Sequence, residues 1–359
     1  MSNPIKEVTK LGQSIWFDNI QRRALRNGEL KTLIDRGDIR GITSNPSIFN
    51  QAISNSNDYD EEIKILAASG FNSQEIFWKV AIRDIQDASD LFLPLYEKTN
   101  GEDGFVSLEV NPKFAQDPIS TISEAKSLWA EVDRPNLMIK IPATRECIPA
   151  IKETIASGIN VNVTLIFSID RYREVMHAYI EGLEKRVHSG LRISNISSVA
   201  SFFISRIDSK IDTLLPEGSN LKGKSAIANA KLAYLEFEQL FKESGFRALQ
   251  EIGAQFQRPL WASTSTKNEH YPNTLYVDEL IGPNTVNTVP PKTLDAFRDH
   301  GNPGLTITRE TDNAKQSIDN LKNEGIFIKE VTEELEREGV EAFVDSYLDL
   351  IKAIERKIK

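Results

Sequence analysis

The chain has 359 residues, 40% of them hydrophobic and 26% charged, with a formal net charge of −9. That supplies a large core and argues against disorder, while an acidic chain repels nucleic acid and anionic lipid overall. Its single cysteine, Cys147, excludes an internal disulfide and suits a reducing, cytoplasmic setting.

The first twenty residues, MSNPIKEVTKLGQSIWFDNI, show no apolar leader with a small-residue cleavage site. No apolar run in the chain approaches the roughly 18 residues of a membrane span. The first candidate strand is SIWFD (14–18), ending on Asp18. The second is RGITS (40–44), with Thr43 at its end and Asn45 just beyond. The stretch 46–103 is too long for one helix and has room for two or three. Within it, 73–97 sets Ile76, Phe77, Val80, Ala81, Ile85, Ala88, Leu91, Phe92 and Leu95 on one helical stripe.

Further strands follow as GFVSLEV (104–110), LMIKIP (137–142), VNVTLIF (161–167), SVASFFI (198–204), PLWAST (259–264) and TVNTV (285–289). Most are almost continuously apolar, as strands covered on both faces are. Helical patterns occupy 220–244 and 341–358, and the tail 305–359 is expected to pack as extra helices. Eight β units alternating with helices predict an α/β protein, a (β/α)8 TIM barrel formed as one domain over 1–359. A doubly wound sheet is the alternative. It usually carries a glycine-rich turn after the first strand, and SIWFDNIQR has none. Of two Asn-x-Ser/Thr sequons, at Asn162 and Asn195, the first sits inside an apolar strand and reads as a chance match.

In such a barrel the C-terminal strand ends form the mouth where chemistry occurs. Seven candidate strands carry polar residues there: Asp18, Thr43 with Asn45, Glu109, Lys140, Asn162 with Thr164, Ser201, and Ser263 with Ser265. Packing alone does not account for that repetition. Lys140 is the sharpest case, an ammonium in an apolar strand that costs several kcal/mol unless paired or neutral. A desolvated lysine can be a neutral amine that attacks a carbonyl and forms a Schiff base. The competing reading is a buried structural ion pair with Glu109, and LMIKIPAT by itself does not separate the two.

Schiff-base chemistry also needs proton carriers, and Asp18 and Glu109 are the strand-end carboxylates. Asp18 could instead cap a helix beginning in NIQRRAL, and Glu109 could serve only a salt bridge. Arg206, after the sixth strand, could hold a phosphate in bidentate fashion or be a solvated loop charge. Lys267 is a weaker candidate of the same kind. The histidines His177, His188, His270 and His300 lack metal-ligand spacing, so no metal is expected. Cys147 is expected to be a small buried residue rather than a nucleophile.

Taken together, GITSNPSIF (41–49), SLEVNP (107–112), LMIKIPAT (137–144), GINVNVTLIFS (158–168) and SVASFFISRID (198–208) resemble the transaldolases. WASTSTKN (261–268) and the helical tail are similar to their longer bacterial subgroup. The resemblance covers most of the chain and implies a cofactor-free enzyme of the non-oxidative pentose phosphate pathway. It implies a barrel circularly permuted relative to other Schiff-base aldolases, with the lysine on the fourth strand. The implied reaction moves a dihydroxyacetone unit from sedoheptulose 7-phosphate to glyceraldehyde 3-phosphate, giving erythrose 4-phosphate and fructose 6-phosphate.

Carried over by motif, Lys140 is the Schiff-base lysine and Asp18 deprotonates the C4 hydroxyl of the donor. Glu109 is an acid/base acting through a water held by Thr164. Asn45, Asn162 and Ser201 match positions that bind the dihydroxyacetone moiety, Thr43 and Ser107 match supporting positions, and Arg206 matches a phosphate-binding arginine. The family carries a second phosphate arginine after the seventh strand. This chain has Ser263, which aligns, and then Ser265 and Lys267 where the arginine is lacking. The resemblance implies sugar phosphates as partners, without nucleic acid or membrane, and a monomer or homodimer. The nearest rival, fructose 6-phosphate aldolase, is a much shorter enzyme and tends to carry tyrosine where this chain has Phe203. A non-catalytic sugar-phosphate-binding barrel would be expected to lose Lys140, Asp18 or Glu109.

Overall fold

A computed structural model describes residues 3–359. Seven parallel strands form its centre: β1 (Gln13–Phe17), β2 (Val106–Glu109), β3 (Leu137–Pro142), β4 (Val161–Ile166), β5 (Ser198–Phe203), β6 (Gln257–Ala262) and β7 (Thr285–Val289). They pair in the order β1-β7-β6-β5-β4-β3-β2. The two outer strands do not end as free edges. Ile42 makes parallel bridges to Phe17 on one side and Val106 on the other. Hydrogen bonds from Thr43 N to the Phe17 carbonyl (2.9 Å), Ile42 N to the Phe105 carbonyl (2.9 Å) and Ser107 N to the Ile42 carbonyl (3.1 Å) close the ring.

The second of the eight expected strands is thus a stave of one bridged residue. Its shortness has a steric correlate, since Gly41 lies so close to the Trp16 indole that a Cβ would stand 2.6 Å from the ring. With that stave counted, Lys140 occupies the fourth of eight.

Every residue of the seven strands is buried. One face of each lines the barrel interior and the other meets helices, which explains their continuous apolar runs. Asn162 is fully buried in β4. Asx-Pro pairs recur at helix starts. Asn3, Asn45 and Asp117 accept backbone N–H groups as N-caps, and each is followed by a proline at the first helical position. The first of these opens a short helix, Pro4–Lys10, ahead of β1 that the sequence reading did not include.

Three helices fill the 46–103 stretch, Pro46–Ser54, Asp60–Ala68 and Ser73–Lys98. The 220–244 pattern resolves into one helix, Ser225–Leu240. The tail forms Thr311–Asn323 and a 31-residue helix, Ile328–Ile358. Among the described residues, no helix is long and apolar enough to cross a membrane.

The last helix lies across the C-terminal strand ends. Gly339 lets it approach closely, since a Cβ there would lie 3.0 Å from the Leu165 side chain. Ion pairs hold its rim: Lys210 with Glu334 (2.7 Å) and Glu338 (2.6 Å), Arg171 with Glu336 (3.3 Å), and Lys357 with Asp60 (2.5 Å).

Candidate active site

Parallel pairing puts Glu109, Lys140 and Asn162 in one row across β2, β3 and β4. Residues in register on parallel strands point to the same face, and here that face is the barrel interior. Lys140 is 5% exposed. Its Nζ donates to the Ser44 carbonyl at 3.2 Å and lies 3.3 Å from Glu109 Oε2. The second contact is an ion pair whose angle misses hydrogen-bond geometry, so Oε2 keeps its accepting capacity. The Phe343 ring centre, on the last helix, stands 5.6 Å from the same ammonium.

Glu109 is buried, and desolvation lifts its carboxyl from the ordinary 4.5 to about 7 against the opposing pull of Lys140. Burial also raises Asp18, opposed by Lys140, by the Thr43 hydroxyl and by Lys267. Asp18 does not cap a helix. The next helix begins at Arg22 with Gln21 as its N-cap. Asp18 instead accepts the Thr43 hydroxyl at 2.6 Å, and Thr43 stands 2.7 Å from the Thr288 hydroxyl. A carboxyl lifted to about 7 and a second held above its usual range, beside a buried lysine, are suited to exchanging protons.

Asn162 and Ser201 form a relay on the interior wall. Ser201 donates to Asn162 Oδ1 at 2.7 Å, and Asn162 Nδ2 donates to the Ser107 hydroxyl at 3.0 Å. Thr164 follows two residues on, with a buried hydroxyl that lacks a protein partner. Directly after it the strand bulges. The β4–β5 register shifts between Val163 and Ile166, and Leu165 adopts a left-handed φ of 59°. Asn45 is engaged as a cap, accepting from Ile48 N at 3.0 Å, and remains partly exposed.

Arg206 opens the helix after β5, and its guanidinium stacks 5.6 Å from the Phe203 ring centre. Burial lowers its proton affinity, and no described side chain within ion-pair distance neutralises it. Across the mouth, Lys267 is also held below the ordinary range, by burial and then by Arg206 itself. The two cations are therefore neighbours. Lys267 Nζ donates to Ser265 at 2.8 Å, and Ser263, at φ 56°, stands 2.9 Å from the Ser205 hydroxyl. Cys147 is fully buried, and burial raises its thiol.

The thirteen candidate residues singled out in the sequence lie at this end of the barrel or on the loops leaving it. The sequence reading missed the Ser44 carbonyl, the Thr288 hydroxyl and Phe343. Thr288 carried a signal, a polar residue near the end of the eighth strand. The other two did not: a carbonyl has no sequence signature, and Phe343 reads as one more apolar residue on a helical stripe.

The family model for transaldolase/fructose-6-phosphate aldolase matches residues 15–354. The chain is 46% identical to a transaldolase of Trichodesmium erythraeum over 374 aligned positions, covering 100% of this chain and 98% of the relative. It is 45% identical to a transaldolase of Thermobifida fusca, covering 100% and 99%. It is likewise 45% identical to "Transaldolase 2" of Streptomyces coelicolor, covering 100% and 98%. The chain belongs to the transaldolase/fructose-6-phosphate aldolase family.

Proposed function

We propose that this member of the family is a transaldolase, acting as one barrel domain over its whole length. It transfers a dihydroxyacetone unit from sedoheptulose 7-phosphate to glyceraldehyde 3-phosphate through a Schiff base on Lys140, without a cofactor. The observation that carries the reading is Lys140 itself, a buried amine set in register between Glu109 and Asn162, with the Ser44 carbonyl and the Glu109 carboxylate at its Nζ.

Lys140 Nζ adds to the C2 carbonyl of the donor. The carbinolamine loses water to give an imine, with Glu109 passing protons through a water that the free Thr164 hydroxyl can hold. Asp18 then takes the proton of the C4 hydroxyl. The C3–C4 bond breaks, the aldose phosphate departs, and the electron pair is held as an enamine on Lys140. The acceptor aldehyde reverses these steps. Asn45, Asn162 and Ser201 are assigned to the dihydroxyacetone hydroxyls, with Thr43 and Ser107 aligning Asp18 and Asn162. Two mutually repelling cations with no salt-bridge partner suit a phosphate, so Arg206 and Lys267 are assigned to it, with Ser263 alongside. The place of action is the cytoplasm, in the non-oxidative pentose phosphate pathway, as a monomer or homodimer.

The test is borohydride reduction in the presence of fructose 6-phosphate, followed by peptide mass mapping. A three-carbon adduct is expected on Lys140. Lys140→Arg should lose it while keeping the wild-type circular dichroism spectrum. Adduct on another lysine rejects the assignment.

A further inference from the structure

Arg206 and Lys267 reach the mouth from two different segments. Arg206 stands in the first turn of helix Ser205–Leu214. Lys267 stands in the chain that leaves β6, which is neither helix nor strand from Ser263 to Thr274. Two like charges side by side repel, so a lysine on such a chain swings out towards water unless the chain is held. Among the described residues, 265–270 hydrogen-bond only with one another and with Tyr271. Lys267 donates to Ser265 at 2.8 Å, and the backbone N–H groups of His270 and Tyr271 turn back onto Asn268. Where Lys267 sits is therefore set at the ends of this span.

Both ends are fastened to the helix that carries Arg206. At the near end Ser205 N donates to the Ser263 carbonyl at 3.0 Å, and the two hydroxyls stand 2.9 Å apart. At the far end the Tyr271 hydroxyl donates to Asp212 Oδ2 at 2.6 Å. Asp212 Oδ1 is held in turn by Gly223 N at 3.0 Å. The Tyr271 ring lies so close to Gly223 that a Cβ there would stand 2.8 Å from it. The next tie is Tyr276, whose hydroxyl donates to Asp208 Oδ2 at 2.9 Å. Asp208 and Asp212 are one turn apart on one face of the helix. Arg206 feels Glu338, and Lys267 feels Asp18, but neither cation is acted on by these two aspartates. The bonds join segments and leave the charges free. Without the Tyr271 bond the free span grows from 265–270 to 265–275, and a longer loop samples more positions.

Resting on the phosphate site proposed above, we infer that Tyr271, through Asp212, is a positioning residue that holds Lys267 beside Arg206. It sets how strongly the enzyme prefers phosphorylated over unphosphorylated sugars, by fixing the spacing of the two cations.

The test is a ratio: kcat/KM for glyceraldehyde 3-phosphate over kcat/KM for unphosphorylated glyceraldehyde, each as acceptor with fructose 6-phosphate as donor. The lysine chemistry is common to both acceptors, so the ratio reads the phosphate contact. Tyr271→Phe keeps the ring and loses the tie, and it should lower the ratio about fivefold. Asp212→Ala should lower it alike, and the double variant should fall no further than either single one, because all three cut the same bond. Asp212→Asn, whose amide can still bond the Tyr271 hydroxyl, should recover most of the ratio. Tyr179→Phe is the control. It removes the bond from a tyrosine hydroxyl to the Gln255 carbonyl (2.8 Å), ahead of β6, and should lower stability with the ratio unmoved. A folded Tyr271→Phe with the wild-type ratio overturns the inference. So does an equal fall in Tyr179→Phe, which would make general loosening the cause. If Tyr271→Phe does not fold, a folded Asp212→Ala decides in the same way. Arg206→Ala with the wild-type ratio is a separate outcome, which removes the phosphate reading beneath.

Discussion

The two ends of the barrel both bury charge, and they treat it in opposite ways. At the N-terminal end Asp103, 1% exposed, receives four donors: Arg40 at 2.6 Å, Arg258 at 3.3 Å, the Ser14 hydroxyl at 2.8 Å and the Trp16 indole at 3.1 Å. Arg258 in turn donates to the carbonyls of Glu102 (2.9 Å) and Thr285 (2.8 Å). At the C-terminal end Glu109 Oε2 and the Thr164 hydroxyl are buried without a hydrogen-bond partner. Arg206 and Lys267 repel one another and form no salt bridge among the described residues, with Glu338 and Asp18 acting on them only from a distance. Burial alone therefore does not mark function. What differs is the carboxylates: Asp103 is saturated by its donors, whereas Glu109 keeps an oxygen free to pass a proton.

The contrast predicts that the two ends fail differently. The largest effect belongs to Asp103→Ala, which strands Arg40 and Arg258. Removing one member of a buried charged set typically costs about 3–5 kcal/mol, so denaturant melts should show a large loss of stability or no folded protein. A midpoint near that of wild type would break the contrast. Next come the mouth carboxylates, whose loss should fall on rate. Asp18→Ala and Glu109→Ala should each lower turnover by roughly 10²–10⁴. Single-turnover quenching separates them, with Asp18→Ala accumulating adduct and Glu109→Ala forming it slowly. Stalling of both at one step would remove the division of roles.

Arg206→Ala should act more narrowly, raising KM for phosphorylated donor and acceptor by the equivalent of about 2–3 kcal/mol with a smaller change in kcat. An unchanged KM would leave the cation pair without a phosphate role. Lys267→Ala should do the same to a lesser degree. Stability should also depend on pH. The Glu109 carboxyl titrates near 4.5 when unfolded and is pushed to about 7 when folded. Between these values the folded state binds the extra proton, so this group's contribution is complete below 4.5 and lost as pH rises through about 7. Glu109→Gln should therefore gain relative stability from pH 5 to pH 8, as read by thermal melts. A flat difference would mean that Glu109 is as well compensated as Asp103.

Much of this was legible in the sequence because parallel strands buried on both faces tolerate few polar residues. LMIKIP and VNVTLIF announced themselves by Lys140, Asn162 and Thr164, and their spans match β3 and, to within a residue, β4. Boundaries slipped where polarity misled. PLWAST begins two residues after the true start of β6, because Gln257 and Arg258 are polar yet buried in the network of the opposite end. The 40–44 segment reads as a strand by composition, whereas only Ile42 is bridged, beside a Gly41 that lies against Trp16. The place of Phe343 was illegible for a different reason. Phe343 lies two hundred residues beyond Lys140, and only the tertiary path of the last helix sets its ring over the amine.

The one-residue stave has a consequence for how the molecule breathes. Three backbone bonds to each neighbour hold it in the ring, and the same short segment delivers Thr43 to Asp18 and the Ser44 carbonyl to Lys140. Local opening of this segment would expose the amides of Ile42, Thr43 and Ser107 to exchange with deuterium. The same excursion would unhook Lys140 from Ser44 and Asp18 from Thr43 together.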